Sequence, residues 1–227
     1  MNDLRKSINI TFFGDSICVG QGVSISNSWV AQLNNELKEL YSEHKLIISN
    51  SSVNGRTSRE ALLDMPYHIQ SQPIDILVVQ FGLNDCNYWV SDGGLPRVSL
   101  QSYISNMMEI VQRAFGSGIE KVIVNNNHPT DKSNIDFGSQ DITYQESNKL
   151  YSKSLASEFE KLKMPNLYFV NTYEKVEQSV VEKNKDLRDI LSLDGLHLSE
   201  EGHLLYLEIM HSVLKNCIDG LAQAKQK

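Results

Sequence analysis

Four short segments, far apart in the chain, carry residue types that together could perform acyl transfer. They are Gly14-Asp15-Ser16, Asn54-Gly55, Gly82-Leu83-Asn84-Asp85 and Asp194-Gly195-Leu196-His197. A serine hydroxyl, a glycine N–H, an amide side chain and an Asp-His pair correspond to the nucleophile, the two oxyanion donors and the oriented base that ester hydrolysis requires. No segment is specific alone, but their joint occurrence in this order predicts a hydrolase.

The serine and the Asp-His pair each stand beside a predicted strand or helix. Ser16 follows the first apolar run, and ligands of open parallel sheets bind outside the carboxyl ends of the strands. Asp194 and His197 are three residues apart, so the carboxylate can reach Nδ1 and leave Nε2 facing the serine. Two alternatives stay open: Ser16 as an ordinary helix-capping serine, and His197 as a surface histidine where a helix starts.

Gly55 and Asn84 are the predicted oxyanion donors. A glycine lets its N–H approach an oxyanion without a Cβ in the way, and an amide side chain supplies a second donor. Asn-Gly pairs and Asn-Asp pairs are also common in turns, because glycine and asparagine tolerate positive φ. A purely structural turn is therefore the alternative at both positions.

An Asp-His pair is also compatible with a metal site. His128 and His203 are further candidate ligands, but neither has a recognisable ligand spacing. The three cysteines, at positions 18, 86 and 217, are too widely spaced to predict a disulfide framework or a metal cluster. We predict that Cys18 and Cys86 are free thiols without a catalytic role, and that the protein needs neither metal nor cofactor.

Size and charge narrow the class of protein. The chain has 227 residues, 41% of them hydrophobic and 22% charged, which predicts a single globular domain spanning residues 1–227. A net charge of −7 argues against a nucleic-acid partner. No apolar stretch approaches the roughly 18 residues of a membrane span, and no secretory signal is recognisable, so a cytoplasmic location is predicted.

Five apolar runs of strand length alternate with amphipathic segments. The runs are 8–13, 46–48, 74–81, 121–124 and 167–170. Runs rich in valine and isoleucine suit strands that are covered on both faces, as in a parallel sheet. The alternation of five strands with five helices predicts an α/β fold with helices on both faces of that sheet.

The helices are predicted from apolar stripes and capping residues. One stripe comprises Trp29, Leu33, Leu37 and Leu40, and another comprises Tyr103, Met107, Ile110, Val111 and Ala114. A charged amphipathic helix is predicted over 141–163, and a last helix is predicted to begin near residue 200 with Ser199 as its cap. The stretches 83–99 and 127–140 remain as long loops, which in compact domains are usually functional or mobile.

The four segments resemble the signature blocks of the SGNH hydrolases, the GDSL-type esterase and lipase superfamily. The resemblance is carried by Gly14-Asp15-Ser16-Ile17-Cys18-Val19-Gly20, by Gly55, by Gly82-Leu83-Asn84-Asp85 and by the run from Asp194-Gly195-Leu196-His197 to His203. Ile17 stands where the family name has leucine, which is a conservative change.

The resemblance implies a role for each matched residue. Ser16 would be the nucleophile, His197 the base and Asp194 the group that orients it. The N–H groups of Ser16 and Gly55 and the amide of Asn84 would form the oxyanion hole. The implied fold is a three-layer α/β/α sandwich with a five-stranded parallel, flavodoxin-like sheet.

The loop after Asn84 offers the main indication of the substrate. Tyr88, Trp89 and Arg97 combine aromatic rings with a polar group, as a carbohydrate site would, although the two rings could instead pack the loop onto the core. No lid-like apolar stretch is present to bind a long acyl chain. We therefore predict a serine esterase for small acyl esters of the acetyl type, with a carbohydrate as the candidate carrier.

Two other functions stay open. One is a lysophospholipase or an acyl-thioesterase. The other, of a different class, is a non-catalytic flavodoxin-like module that binds a ligand at the helix start near Ser16.

Overall fold

The computed structural model describes residues 7–133 and 141–225, so the second part of the predicted loop 127–140 lies outside the described residues. The five strands are β1 Ser7–Gly14, β2 Lys45–Asn50, β3 Ile76–Gln80, β4 Lys121–Asn125 and β5 Leu167–Val170. The α-helices of the described residues are α1 Ser16–Val19, α2 Trp29–Leu40, α3 Ser58–His68, α4 Leu100–Gly116, α5 Tyr144–Phe159, α6 Thr172–Glu182 and α7 Glu200–Lys225.

The sheet is parallel throughout, with strand order β2-β1-β3-β4-β5. Every residue of β3 and β4 is buried, whereas the edge strands β2 and β5 are partly exposed. Central strands covered by helices on both faces need apolar side chains on both faces, which explains their unbroken runs of valine and isoleucine. The predicted α/β class and five-stranded flavodoxin-like sheet are confirmed.

The apolar stripes of the helices face this sheet. All five residues of the predicted α4 stripe are buried, and so are Trp29, Leu33 and Leu37 of α2. The prediction is wrong for Leu40, the last residue of the helix, which is 51% exposed. Ser199 accepts a hydrogen bond from the Gly202 N–H and starts α7 as predicted.

Two helices depart from the predicted alternation. The short α1 follows β1 directly, and α6 separates β5 from the last helix, so the predicted succession of five strands and five helices was incomplete. A capping pattern marks α6, because the Asn171 side chain accepts from the Glu174 N–H. The predicted helix over 141–163 is shorter and spans Tyr144–Phe159, with Thr143 and Glu146 forming a capping box.

The strand order creates a crevice beside β1. The chain passes from β1 to β2 on one side and then to β3 on the other side of β1, so the connections after β1 and β3 leave the sheet in opposite directions. Ligands of such sheets bind at this switch point, outside the carboxyl ends of the strands. Ser16 and Asn84 follow these two strands.

No helix within the described ranges is long and apolar enough to cross a membrane.

Candidate active site

Ser16 is the first residue of α1 and is 4% exposed. Asp15 caps this short helix by accepting a hydrogen bond from the Ile17 N–H at 3.0 Å, and Gly20 ends the helix in the left-handed conformation. The first N–H groups of a helix have no intrahelical partner, so the Ser16 N–H lies at a position suited to an anion. The alternative that Ser16 is an ordinary helix-capping serine is wrong, because Asp15 is the capping residue and Ser16 is the first helical residue.

Asp194 and His197 meet Ser16 in one line of hydrogen bonds. His197 Nδ1 lies 2.6 Å from Asp194 Oδ2, and His197 Nε2 lies 2.9 Å from Ser16 Oγ. A carboxylate only accepts, so Nδ1 carries the proton and Nε2 of the neutral ring accepts from the serine hydroxyl. This arrangement can draw the proton from Ser16 when its oxygen attacks an electrophile.

The Asp194 carboxylate is held by four donors. Its Oδ1 accepts from Ser192 Oγ at 2.7 Å and from the N–H groups of Leu196 and His197, each at 2.9 Å. Partial burial raises the pKa of Asp194, but the hydrogen bonds from His197, Ser192 and the two backbone groups outweigh it and hold that pKa well below its usual range. Asp194 is therefore an anion at neutral pH.

Gly55 and Asn84 lie side by side at the crevice. Gly55 adopts φ +77°, which glycine tolerates and a residue with a Cβ does not, although the space around it is open. The Asn84 Nδ2 donates to the Arg56 carbonyl at 3.2 Å, which leaves a second amide hydrogen for another acceptor. The two predicted oxyanion donors are thus brought together by a contact between the β2–α3 and β3–α4 connections.

Asp85 anchors the Asn84 turn to helix α3. This fully buried carboxylate accepts from the Ser58 N–H at 3.0 and 3.1 Å and makes a short contact with the Ser58 hydroxyl. Gly82, just before Asn84, adopts φ +138°, and a Cβ there would lie 2.8 Å from the Tyr103 hydroxyl. Neither of these contacts of Asp85 and Tyr103 could be predicted from the sequence, because each depends on a partner that is distant in sequence.

The three predicted substrate-binding residues form a stacked pair and a loop contact. The Arg97 guanidinium lies 3.9 Å from the Trp89 ring centroid and donates to the Gly55 carbonyl at 3.0 Å. Tyr88 is half-buried and pairs with Pro96 across the loop, whereas Trp89 is 48% exposed. Arg97 therefore fixes the loop onto the Gly55 turn, and Trp89 keeps an accessible surface.

The described residues contain no group of three His, Cys, Asp or Glu side chains placed to hold a metal ion. Both ring nitrogens of His128 have protein partners, and His203 Nδ1 accepts from the Trp29 N–H at 3.3 Å. Cys18 and Cys86 are buried, and neither forms a disulfide among the described residues, as predicted.

Comparisons with known proteins identify the family of this chain. The sequence model of the GDSL-like Lipase/Acylhydrolase family matches residues 12–205, a range that includes all four segments. GDSL esterase/lipase WDL1 of Oryza sativa subsp. japonica is 30% identical over 217 residues, which cover 89% of this chain and 76% of that protein.

Two solved structures share the fold. Axe2, an acetylxylan esterase from Geobacillus stearothermophilus, superposes with a TM-score of 0.71 at 19% identity, covering 89% of this chain and 92% of that one. TesA superposes with a TM-score of 0.65 at 20% identity, covering 92% of this chain and 99% of that one.

Proposed function

We propose that the catalytic triad of this protein consists of Ser16, His197 and Asp194. The premise is that the chain belongs to the GDSL-like lipase/acylhydrolase family and hydrolyses carboxylic esters. The observation that carries the proposal is the continuous line of hydrogen bonds from Asp194 through His197 to Ser16. Family membership also argues against the non-catalytic binding module. The Asp-His pair is a second argument, because a pure binder has no need of an oriented base.

The reaction proceeds in two steps. His197 Nε2 takes the Ser16 proton as Oγ attacks the ester carbonyl, and the same proton then passes to the departing alcohol. Water repeats the sequence on the acyl-enzyme and releases the acid. Asp194 keeps the ring in the required tautomer and stabilises the imidazolium formed in each step.

The oxyanion is stabilised by three donors. In the proposed site the Ser16 and Gly55 N–H groups and the second amide hydrogen of Asn84 would donate to the negative charge that develops on the carbonyl oxygen. Support comes from the position of Ser16 at a helix start, the positive φ of Gly55 and the contact between Asn84 and the Arg56 carbonyl.

Covalent labelling tests the nucleophile. A fluorophosphonate traps activated serines, so mass spectrometry of the labelled protein should find the adduct on Ser16. Ser16→Ala should abolish both labelling and hydrolysis of p-nitrophenyl acetate. Ser179→Ala, which changes a serine of α6 outside the site, is the matched control and should label normally. An adduct on another serine of the folded, active protein would refute the assignment.

The proposed substrate is a small acyl ester, with an acetylated carbohydrate as the candidate. Arg97 covers one face of the half-exposed Trp89 and donates to the Gly55 carbonyl, so a sugar ring stacked on the exposed part of Trp89 would contact the loop that is joined to the Gly55 turn. A protein of the same fold bears the name acetylxylan esterase, which is in accord with this substrate class.

A longer acyl chain is the second candidate. Val90 and Leu95 of the same loop are 71% and 68% exposed, and such side chains could cover a lipid chain in a lysophospholipase or a thioesterase. Measuring kcat/KM on p-nitrophenyl acetate, butyrate, octanoate and palmitate separates the two. A site for long chains gains roughly 0.8 kcal/mol for each methylene it buries, whereas a site for small acyl groups loses efficiency as clashes replace that gain. A maximum at octanoate or beyond would overturn the acetyl-ester proposal.

A further inference from the structure

A line of buried polar side chains runs beneath the candidate site, from α1 to the turn that carries His197. Its members are Cys18, Gln80, Tyr206 and His128, and each is 0% exposed. They come from four different parts of the fold: α1, the end of β3, helix α7 and the connection after β4. Buried polar groups are costly unless paired, so the partner of each group carries information.

His128 ends this line at the backbone of the His197 turn. Its Nε2 lies 2.8 Å from the Leu196 carbonyl oxygen, and its Nδ1 lies 2.7 Å from the Tyr206 hydroxyl. Burial lowers the pKa of His128 to about 4, so at neutral pH the ring is uncharged and carries one N–H. A carbonyl only accepts, which places that hydrogen on Nε2 and makes Nδ1 the acceptor of the tyrosine proton.

The remaining contacts run in the same direction. Gln80 Nε2 donates to the Tyr206 oxygen at 3.1 Å, and Gln80 Oε1 accepts from Cys18 Sγ at 3.6 Å. Cys18 belongs to the four-residue helix that begins with Ser16. Every hydrogen bond from α1, the nucleophile's helix, to the Leu196 carbonyl thus joins a donor to an acceptor. None of them requires a charged group or the other tautomer of His128.

The peptide group that joins Leu196 to His197 is therefore held on two sides. Its N–H, which belongs to His197, donates to Asp194 Oδ1 at 2.9 Å, and its carbonyl, which belongs to Leu196, accepts from His128. The Nε2 of His197 must stay within hydrogen-bond reach of Ser16 Oγ, which lies 2.9 Å away. A shift of the Leu196 carbonyl would rotate this peptide group and carry the imidazole away from the serine.

We infer that His128 is a positioning residue for the base: its Nε2–H fixes the Leu196 carbonyl, and through it the placement of His197 over Ser16. The inference rests on the proposed triad. Tyr206 and Gln80 act one and two steps further back, because the Tyr206 hydroxyl holds His128 in the tautomer that can donate to Leu196.

The test compares two replacements of His128. His128→Phe keeps an aromatic ring but removes both hydrogen bonds, so kcat on p-nitrophenyl acetate should fall about ten- to hundredfold, since small displacements of catalytic groups have effects of this size. KM should stay within about twofold, because the substrate contacts are untouched. His128→Gln offers an amide N–H for the Leu196 carbonyl and an amide oxygen for Tyr206, so it should restore most of the turnover.

Proton NMR adds a measurement that a loss of stability alone would not change, namely the chemical shift of one proton in the site. The Nδ1 proton shared by His197 and Asp194 should give a low-field resonance in the wild type and in His128→Gln, and it should shift or vanish in His128→Phe. Tyr206→Phe, which deletes only the hydroxyl, should show an intermediate loss of kcat. It keeps the inference testable if His128→Phe does not fold.

Tyr41→Phe is the matched control. It also removes the hydroxyl of a buried tyrosine. That hydroxyl lies just after the end of α2 and donates to Asp219 Oδ1 of α7 at 2.6 Å, so the change should lower stability and leave kcat unchanged. Wild-type kcat and an unshifted resonance in folded His128→Phe, or in Tyr206→Phe, would overturn the inference. The proposed function fails separately, if Ser16→Ala or His197→Ala retains turnover.

Discussion

In the proposed triad, Asp194 has a structural role as well as a catalytic one. Its Oδ1 shapes the turn by accepting from the Leu196 and His197 N–H groups, while its Oδ2 faces the imidazole. Because the pKa of Asp194 lies well below its usual range, the carboxylate stays ionised across the pH range in which a histidine base works. The negative charge is thus present whenever His197 accepts a proton.

Asp194→Asn should preserve the turn but damage catalysis. An amide oxygen can replace Oδ1, whereas the amide NH₂ facing His197 favours the wrong tautomer, and we expect kcat to fall about 10⁴-fold, as in other enzymes with this triad. The measurement is kcat on p-nitrophenyl acetate together with thermal unfolding.

Ser192→Ala is the graded control for this change. It removes one of the four donors to Asp194 and leaves the imidazole contact intact, so kcat should stay within a few-fold of the wild type. Turnover of Asp194→Asn near that of Ser192→Ala would contradict the role given to Asp194.

At the scale of elements, the site depends on two connections that hold each other. The connection after β2 carries Gly55, the connection after β3 carries Asn84, and the Arg97 side chain joins them by donating to the Gly55 carbonyl. Arg97 also lies 3.8 Å from Glu60 in the first turn of α3 and is only 13% exposed at its side chain. Loop and helix thereby stabilise one conformation of the Gly55 turn.

Arg97→Met should loosen this contact while keeping the length of the side chain. A hydrogen bond from a charged group contributes roughly 1.5–3 kcal/mol, so we expect kcat/KM on p-nitrophenyl acetate to fall about tenfold or more. Arg113→Met is the control, because Arg113 forms an exposed pair with Glu109 on α4, and such pairs contribute little. Equal kcat/KM for the two variants would show that Arg97 does not support the site.

At the scale of the whole molecule, the carboxyl edge of the sheet buries two acids in an apolar core. Burial raises the pKa of Asp15 to about 7, with a smaller contribution from the charge of Asp85, and burial raises the pKa of Asp85 itself to about 6. Asp15 Oδ2 has no hydrogen-bond partner among the described residues. An unpaired buried carboxylate is costly, so the fold favours the protonated acid.

The contribution of Asp15 to stability should therefore decrease as the pH rises. An unfolded aspartate titrates near 3.8, so between about pH 4 and pH 7 folded Asp15 binds more protons than unfolded Asp15, and its contribution to the free energy of unfolding falls through that window. The buried imidazoles of His128 and His203 have the opposite sign, because burial lowers the pKa of each to about 4 and their contribution to stability rises with pH up to about 6.5. Asp194 also has the opposite sign, because its lowered pKa makes a contribution that is lost only below its unfolded value near 3.8.

Asp15→Asn isolates the buried acid. The amide oxygen can still cap α1, but the side chain no longer ionises, so the variant should be more stable than the wild type at about pH 8 by an amount on the order of a few kcal/mol. Urea unfolding at about pH 5 and about pH 8 measures the effect. Parallel pH profiles of the two proteins would contradict a raised pKa at Asp15.

Much of the architecture followed from local patterns in the sequence. The apolar runs predicted all five strands, the α4 stripe predicted its buried face, and the four segments predicted the hydrolase class before any contact was known. These features depend on periodicity and on neighbouring residues, which a linear sequence records. Helix α6 was missed although Asn171 and Glu174 form a capping pattern, because the apolar stripe behind them is short.

The spatial relations within the site were decided by the tertiary structure. Strand order brings β3 beside β1 and so places the Asn84 turn next to the Ser16 turn. The packing of the turn before α7 onto this edge then brings Ser16 and His197, 181 residues apart, within 2.9 Å. The His128–Tyr206 and Gln80–Tyr206 contacts span 78 and 126 residues. Residue type and spacing thus determined which chemistry the protein could perform, whereas the packing of distant strands and helices decided which side chains hold it in place, because hydrogen bonds depend on proximity in space and not in sequence.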